Sequence, residues 1–335
     1  MLSEVSMSTN TSSSEMEMSL AQYVDVRMFY ATLILFGIGI TMAASTTVEM
    51  SYKDHADALY YIKKQLVFVA FGLLSLFFVS RIRLVYWEKL GPLMLVASIA
   101  LLALVLVPGI GRSVNGSSRW LAIGPVGLQI SEFAKVAMIV YLAGYIVRHE
   151  PRVQTKFGAF LNPLVILGVI VILLLLEPDF GSAVVFVITV FAMLYLGGVR
   201  FTPFLLFTAF SFIALVLLAI SSPYRLERIS SFLDPWADPF DTGFQLTQAL
   251  IAIGNGGVFG VGIGESVQKL FYLPEAHNDF VFAVLAEEMG LIGVVILLTA
   301  YFVLIWRCFA LGSKAQSLRM TFAQNLAYGL SLIHI

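Results

Sequence analysis

Eight apolar runs, each long enough to cross the roughly 30 Å hydrocarbon core of a bilayer as a helix, constrain this chain more than any other feature. They cover about residues 28–48, 61–80, 90–108, 129–147, 160–176, 180–198, 202–220 and 279–306. A ninth begins near Met320 and reaches Ile335 without room to cross. The runs are apolar on every face instead of alternating, which argues against a transmembrane β-barrel. Charged residues make up only 12% of the chain, against roughly 25% in a soluble domain. A soluble fold of 335 residues cannot hide so much apolar surface, because single cores stop growing near ~250–300 residues. The expected fold class is therefore an all-α polytopic membrane protein, with about eight complete transmembrane helices and a partial ninth.

Several function classes drop out at once. A net charge of −1 offers no basic field for a nucleic acid backbone. Cys308 is the sole cysteine, so neither an intramolecular disulfide nor a cysteine-based metal site is available. The histidines His55, His149, His277 and His334 are scattered, without the spacing of a zinc motif. The N-terminal stretch containing SMSTNTSSSEMEMS is polar and unlike a cleavable signal peptide. Residues 1–26 are expected to be a disordered cytoplasmic tail, and 27–335 the membrane domain.

Orientation follows from lysine and arginine. With the N-terminus in the cytoplasm, eleven of the 20 basic residues fall on the inside and eight on the outside, Lys135 lying within a span. The short loops Ser80-Arg81-Ile82-Arg83 and Arg148-His149-Glu150-Pro151-Arg152 carry the clearest inside signal. Twelve of the 21 acidic residues then lie outside, where polar chemistry gathers. Residues 221–278 form a long outer loop, and loops beyond ~12–15 residues are usually functional or disordered. This one carries Trp236, Phe240, Phe244 and Tyr272, enough aromatic surface to fold back on the membrane. Residues 243–254 (GFQLTQALIAIG) have helical periodicity, as a short lid or re-entrant helix. The following glycines, Gly254, Gly256, Gly257, Gly260, Gly262 and Gly264, lack nucleotide-loop spacing and suit tight packing or a hinge.

An ionisable side chain inside a span costs roughly 2.5–3.5 kcal/mol on insertion scales, so each one needs a reason. Glu132 and Lys135, in LQISEFAKVAM of the fourth span, share a helix face at i,i+3 spacing. They are either a self-neutralising pair or a polar wall of a substrate cavity. Arg119, just upstream in GSSRWL, would form with Lys135 a cation pair suited to a pyrophosphate. Glu177-Pro178-Asp179 makes a tight turn between the fifth and sixth spans. Either Asp179 caps the next helix, or both carboxylates stand at the mouth of a cavity as a cation site or hydroxyl acceptors. Asp279, in His277-Asn278-Asp279-Phe280, opens the eighth span. It is either that helix's N-cap or a general base at the membrane–water boundary, oriented by His277.

Three long motifs, in order, resemble the SEDS family (shape, elongation, division and sporulation). They are GSSRWLAIGPVGLQISEFAK at 116–135, EPDFGSA at 177–183, and the stretch from Tyr224 to Gly293 that contains GESVQKLFYLPEAHNDF. The last is more similar to the family's division member than to its elongation member, and the resemblance covers about residues 27–320. It implies a SEDS-type helical bundle and a peptidoglycan glycosyltransferase. The implied substrate is lipid II, a disaccharide-pentapeptide on undecaprenyl pyrophosphate, polymerised into β-1,4 glycan strands at the outer face of the bacterial inner membrane during septal synthesis. Asp279 falls on the family's catalytic aspartate. Arg119, Glu132, Lys135, Glu177 and Asp179 fall on motif positions lining the central cavity, and Gln245, Gln248 and His277 are assigned with them to substrate binding. Arg119, Lys135 or a divalent cation (Mg or Mn) held by carboxylates would meet the pyrophosphate; no metal ligand is assigned. The implied partners are a class B penicillin-binding protein, acting as septal transpeptidase, and other divisome membrane proteins and lipids. Two departures stand out: Asn278 replaces the family's usual Thr, and the chain ends in LSLIHI inside the expected span nine, so spans nine and ten are largely missing. The competing readings are a lipid II flippase or other transporter, and a non-catalytic divisome scaffold.

Overall fold

The computed structural model describes residues 25–114, 117–123, 126–155 and 157–335. The expected tail, residues 1–26, falls almost wholly outside the described residues. The chain continues as α1 (Val26–His55), α2 (Tyr60–Arg81) and α3 (Leu84–Val105). A small antiparallel sheet follows, β1 (Gly111–Val114), β2 (Ser117–Ile123) and β3 (Val126–Gln129), in that spatial order. Then come α4 (Ile130–Thr155), α5 (Phe157–Leu176), α6 (Phe180–Leu196), α7 (Phe201–Ile220), α8 (Pro223–Leu233), α9 (Phe244–Gly256), α10 (Gln268–Phe271), α11 (Val281–Ser317) and α12 (Thr321–Ile333).

The architecture is that of an all-α multi-pass membrane protein, as the apolar runs require. Among the described residues, 6 helices are long and apolar enough to cross a bilayer, and Phe160–Leu176 and Phe180–Leu196 are shorter apolar helices. The third span starts earlier than its apolar run suggests, at Leu84, because Arg83 takes the extended N-cap conformation. The sheet was not expected. It fills the connection between α3 and α4, with Trp120 paired to Gln129 and Leu121 to Leu128. It places Arg119 on its middle strand.

The chain divides into two compact units, one of Met1–Phe71 and Ser230–Arg307, the other of Gly72–Ile229 and Cys308–Ile335. The second unit is built on α4, which packs against α3, α5, α6 and α12. Ile130, Met138, Ile139 and Leu142 of α4 join Leu102, Phe160, Ile170, Phe186 and Leu194 in its core. Close approach needs small residues: a Cβ on Gly91 of α3 would stand 3.2 Å from the Tyr141 backbone. By contrast α2 buries no residue at all. Its apolar side chains have lipid as their solvent.

The first unit holds α1 against α11 at two levels. Asp25 is the N-cap of α1, accepting the Met28 N–H at 3.0 Å. Both its oxygens also accept from Arg307, with Nε at 2.9 and 3.2 Å. The Arg307 guanidinium holds Asp25 below the usual carboxylate range. Further along, Ser45 Oγ donates to Glu288 at 2.6 and 2.8 Å. Nearly the same number of residues separates the two contacts on each helix, as antiparallel packing demands. At 1.5 Å per residue the separation is about 30 Å, one hydrocarbon thickness. The Ser45–Glu288 contact therefore lies near the membrane face opposite Asp25.

The glycine run is packing, and its target is a break in α11. Gly290 sits at φ 63, ψ −165, outside helical geometry. A broken helix frees backbone groups that lipid cannot satisfy. The glycine loop supplies the partners: the Val261 and Gly262 N–H groups donate to the Glu287 and Glu288 carbonyls at 2.9 and 3.1 Å. The Leu291 and Ile292 N–H groups donate to the Gly257 and Val258 carbonyls at 2.9 and 3.2 Å. A Cβ on Gly256 would collide with the Ala286 carbonyl, a backbone atom that cannot swing aside. Gly256→Ala is expected to cost about 2 kcal/mol or more through this overpacking. It should lower the thermal midpoint of the purified protein by several degrees, whereas Gly254→Ala, which meets open space, should not.

Candidate functional site

Each unit carries one group of candidate residues. In the first unit the chain leaves α10, runs through a turn and enters α11, and this turn holds His277, Asn278 and Asp279. Asp279 is exposed, and its carboxylate has no side-chain partner among the described residues. Its N–H bonds the Glu275 carbonyl at 3.2 Å, while the Phe280 carbonyl accepts from Ala283 and Val284. The capping position is therefore Phe280, and Asp279 stands one residue outside the helix. His277 does not orient it. The His277 Nε2 instead lies 3.1 Å from Asn278 Nδ2 and 3.7 Å from Glu275 Oε2, and Asn278 also donates to Glu275 at 2.9 Å. The three side chains satisfy one another and leave Asp279 free.

Beside this turn lies a cavity of about 460 Å³, lined by the C-terminal end of α1, by α10 and by Glu275 and His277. Beneath it is a buried polar network that sequence reasoning missed. Lys269 pairs with Glu288 and donates to Ser45 Oγ at 2.7 Å. The Lys269 and Glu288 side chains are 5% and 0% exposed. Next to it, Ser266 donates to the buried Glu287. The available signal was the acid pair in AEEMG, seven residues into an otherwise apolar span. Gln245 and Gln248 lie on α9, exposed and half-buried, and neither lines the cavity.

In the second unit Arg119 of β2 reaches the turn between α5 and α6. Its Nη2 donates to the Pro178 carbonyl and its Nε stands 3.8 Å from Asp179. Asp179 is the N-cap of α6, accepting from the Ser182 N–H at 3.1 Å and its hydroxyl at 2.7 Å. Lys135 pairs with Glu132 at 2.9 Å. Arg119 and Lys135, expected to act as a cation pair, thus each have a carboxylate beside them, Asp179 and Glu132.

Glu177 is the anomaly of this unit. It is 1% exposed, and neither oxygen has a hydrogen-bond partner among the described residues. Burial pushes its carboxyl up to about 7, with Asp179 adding to the shift and Arg119 opposing it. The fold therefore favours protonated Glu177. Its contribution to stability is full below the ordinary value of 4.5 and is lost as pH rises through about 7. Glu177→Gln is expected to abolish that loss. Thermal midpoints should match wild type near pH 5 and exceed it at pH 8, by up to about 3 kcal/mol of stability.

Among the described residues, no group of three His, Cys, Asp or Glu side chains converges to hold a metal. The Glu177–Asp179 pair does not supply one, since Asp179 is taken up by Ser182.

A family model described as a cell cycle protein, covering FtsW, RodA and SpoVE, matches residues 26–335. The chain is 47% identical over 324 residues to the probable peptidoglycan glycosyltransferase FtsW of Thioalkalivibrio sulfidiphilus, covering 97% of this chain and 81% of that protein. It is 50% identical to the protein of the same description from Nitrosococcus halophilus, over 92% of this chain and 79% of the relative. Among solved structures, the rod shape determining protein RodA of Thermus thermophilus superimposes with a TM-score of 0.65 at 26% identity, over 92% of this chain and 81% of that one. A chain of a peptidoglycan synthase complex that coordinates polymerization and crosslinking superimposes with a TM-score of 0.70 at 28% identity, over 91% and 83%.

Proposed function

Because the chain belongs to the FtsW, RodA and SpoVE family of cell cycle proteins, we propose that it is a peptidoglycan glycosyltransferase, polymerising lipid II into glycan strands during septal wall synthesis. The observation that carries the assignment of its chemistry is Asp279: an exposed carboxylate without a partner among the described residues, held one residue outside the mouth of a transmembrane helix. Its neighbours His277, Asn278 and Glu275 are occupied with one another.

Glycosyl transfer needs one such group. The acceptor hydroxyl oxygen forms a bond to the donor's anomeric carbon, and the bond from that carbon to the diphosphate oxygen breaks. The electron pair leaves with the undecaprenyl diphosphate, and Asp279 takes the hydroxyl proton. The diphosphate's charge calls for a cation, and the resemblance offers Arg119 or Lys135 for it. A Mg or Mn ion remains the expectation from the resemblance, although no three of the described His, Cys, Asp or Glu side chains converge on one point.

On this reading the active face is on the periplasmic side of the inner membrane, with the N-terminus in the cytoplasm as the lysine and arginine bias suggests, and the protein works at the division septum. Its partner is a class B penicillin-binding protein, supported by the likeness to the peptidoglycan synthase complex chain. The flippase reading draws on the charges buried inside spans. Glu288, however, is fully neutralised by Lys269 and Ser45, as a fixed structural pair is. Polymerisation of purified lipid II by the isolated protein tests the assignment. Glycan product from lipid II in detergent, where there is no bilayer to cross, supports the enzyme. Transbilayer movement of lipid II in vesicles without any product supports the carrier.

A further inference from the structure

We propose that the cavity beside the Asp279 turn is a saccharide subsite, which takes the hydroxyl-rich sugar of the substrate and not its diphosphate. This rests on the glycosyltransferase reading above and deepens it. The cavity's volume of about 460 Å³ falls within the roughly 300–1,000 Å³ of small-molecule sites.

Charge excludes the diphosphate. The cationic walls are Lys53 and Lys269. Lys53 is neutralised by Glu49 at 2.6 Å, and Lys269 by Glu288. No surplus cation is left for an anion. Asp54 and Glu275 each already accept one bond, from Tyr61 at 3.0 Å and from Asn278 at 2.9 Å, and the further lone pairs of a carboxylate are matched by sugar hydroxyls. Ser45, Thr46 and His277 add neutral polar groups, and Val48, Leu270 and Leu273 give an apolar wall, which suits the C–H faces of a pyranose ring. Polar groups that orient a ligand against apolar walls are the usual composition of such sites.

Height and rigidity agree. Ser45 lies near one membrane face, about 30 Å along α1 from Asp25. The α1 wall of the cavity continues outward from there to Asp54. It stands above the hydrocarbon, where the head group of a lipid-linked saccharide must sit while its tail stays in the bilayer. The floor is immobilised by the buried Ser45–Lys269–Glu288 network, the preorganisation that a binding constellation requires. The opposite wall, Leu273 to His277, runs directly into Asp279. A sugar seated here is presented next to the reactive carboxylate.

The experiment places a reporter on the exposed rim. Lys53→Cys in a Cys308→Ser background is labelled with a maleimide in nanodiscs, alone and with three ligands: lipid II, a lipid-free glycan oligomer, and undecaprenyl diphosphate. Labelling slowed at least about fivefold by lipid II or by the glycan oligomer, and not by undecaprenyl diphosphate, is the expected result. Protection by the oligomer identifies the growing strand as the source of the sugar; protection by lipid II alone identifies the lipid-linked substrate. In parallel, Asp54→Asn with Glu275→Gln should raise the KM for lipid II about tenfold and change kcat less than about twofold. Protection by undecaprenyl diphosphate equal to that by lipid II, or absence of protection together with an unchanged KM, overturns the proposal. Wild-type protein that forms no glycan yet shows the protection would defeat the enzymatic reading and leave the saccharide site standing.

Discussion

Asp279→Asn is expected to abolish glycan polymerisation while leaving the protein folded. The amide keeps the size of the carboxylate and its capacity to hydrogen-bond a sugar hydroxyl, but it cannot take the proton. General-base catalysis contributes typically 10²–10⁴-fold, so the rate should fall by about that factor or below detection. Stability should not change, because the native carboxylate has no partner among the described residues to lose. Exposed positions of this kind usually shift stability by less than about 0.5 kcal/mol. Polymer length and amount from purified lipid II, resolved on a gel, measure the first expectation, and a thermal midpoint in the same detergent measures the second. Because Glu275 lies in the same turn and is the nearest other acid there in sequence, Glu275→Gln is the control: it should retain kcat. A fully active Asp279→Asn protein with wild-type stability would remove the base from the mechanism.

The division between what sequence shows and what it hides follows from the range of each interaction. The spans are legible because the bilayer imposes a length and a composition on every one of them, independent of its neighbours. Their ends are less so: α3 begins at Leu84, inside a stretch containing Trp87, Glu88 and Lys89 that hydropathy alone assigns to a loop. The sheet at 111–129 was invisible because its strands are short and its pairing, Trp120 with Gln129, is a tertiary choice. The spacing of Glu132 and Lys135 foretold their contact, an i,i+3 pair on one helix. The capping role of Asp179 was equally local. The burial of Glu177 two residues earlier was not legible, since it depends on what packs over the turn. Least legible was the network under the cavity: Ser45, Lys269 and Glu288 come from distant parts of the chain. The acid in AEEMG announces that a partner exists, but nothing local says which.

That network makes the sharpest stability prediction. Lys269 and Glu288 are taken out of water together, and the cost of doing so is met by their mutual attraction and by Ser45, which donates to the carboxylate and accepts from the ammonium. Removing one partner leaves a charge almost wholly shut off from water, the side chains being 5% exposed for Lys269 and 0% for Glu288. Glu288→Leu and Lys269→Met are each expected to cost about 3–5 kcal/mol. Ser45→Ala removes only neutral hydrogen-bonding capacity and should cost about 1–2 kcal/mol. The combined Lys269→Met, Glu288→Leu protein carries no buried charge, so it should recover most of the loss, and a double-mutant cycle should show coupling well above about 1 kcal/mol. Thermal unfolding of the four proteins in one detergent provides the comparison. Recovery of stability should not bring recovery of activity, because Lys269 also forms the cavity floor beside the Asp279 turn, and a methionine there has no ammonium to hold Ser45 in place. Additive losses in the cycle would mean that the two side chains do not act as a pair, and α10 would then be held to α11 through the Ser266–Glu287 bond and the glycine loop.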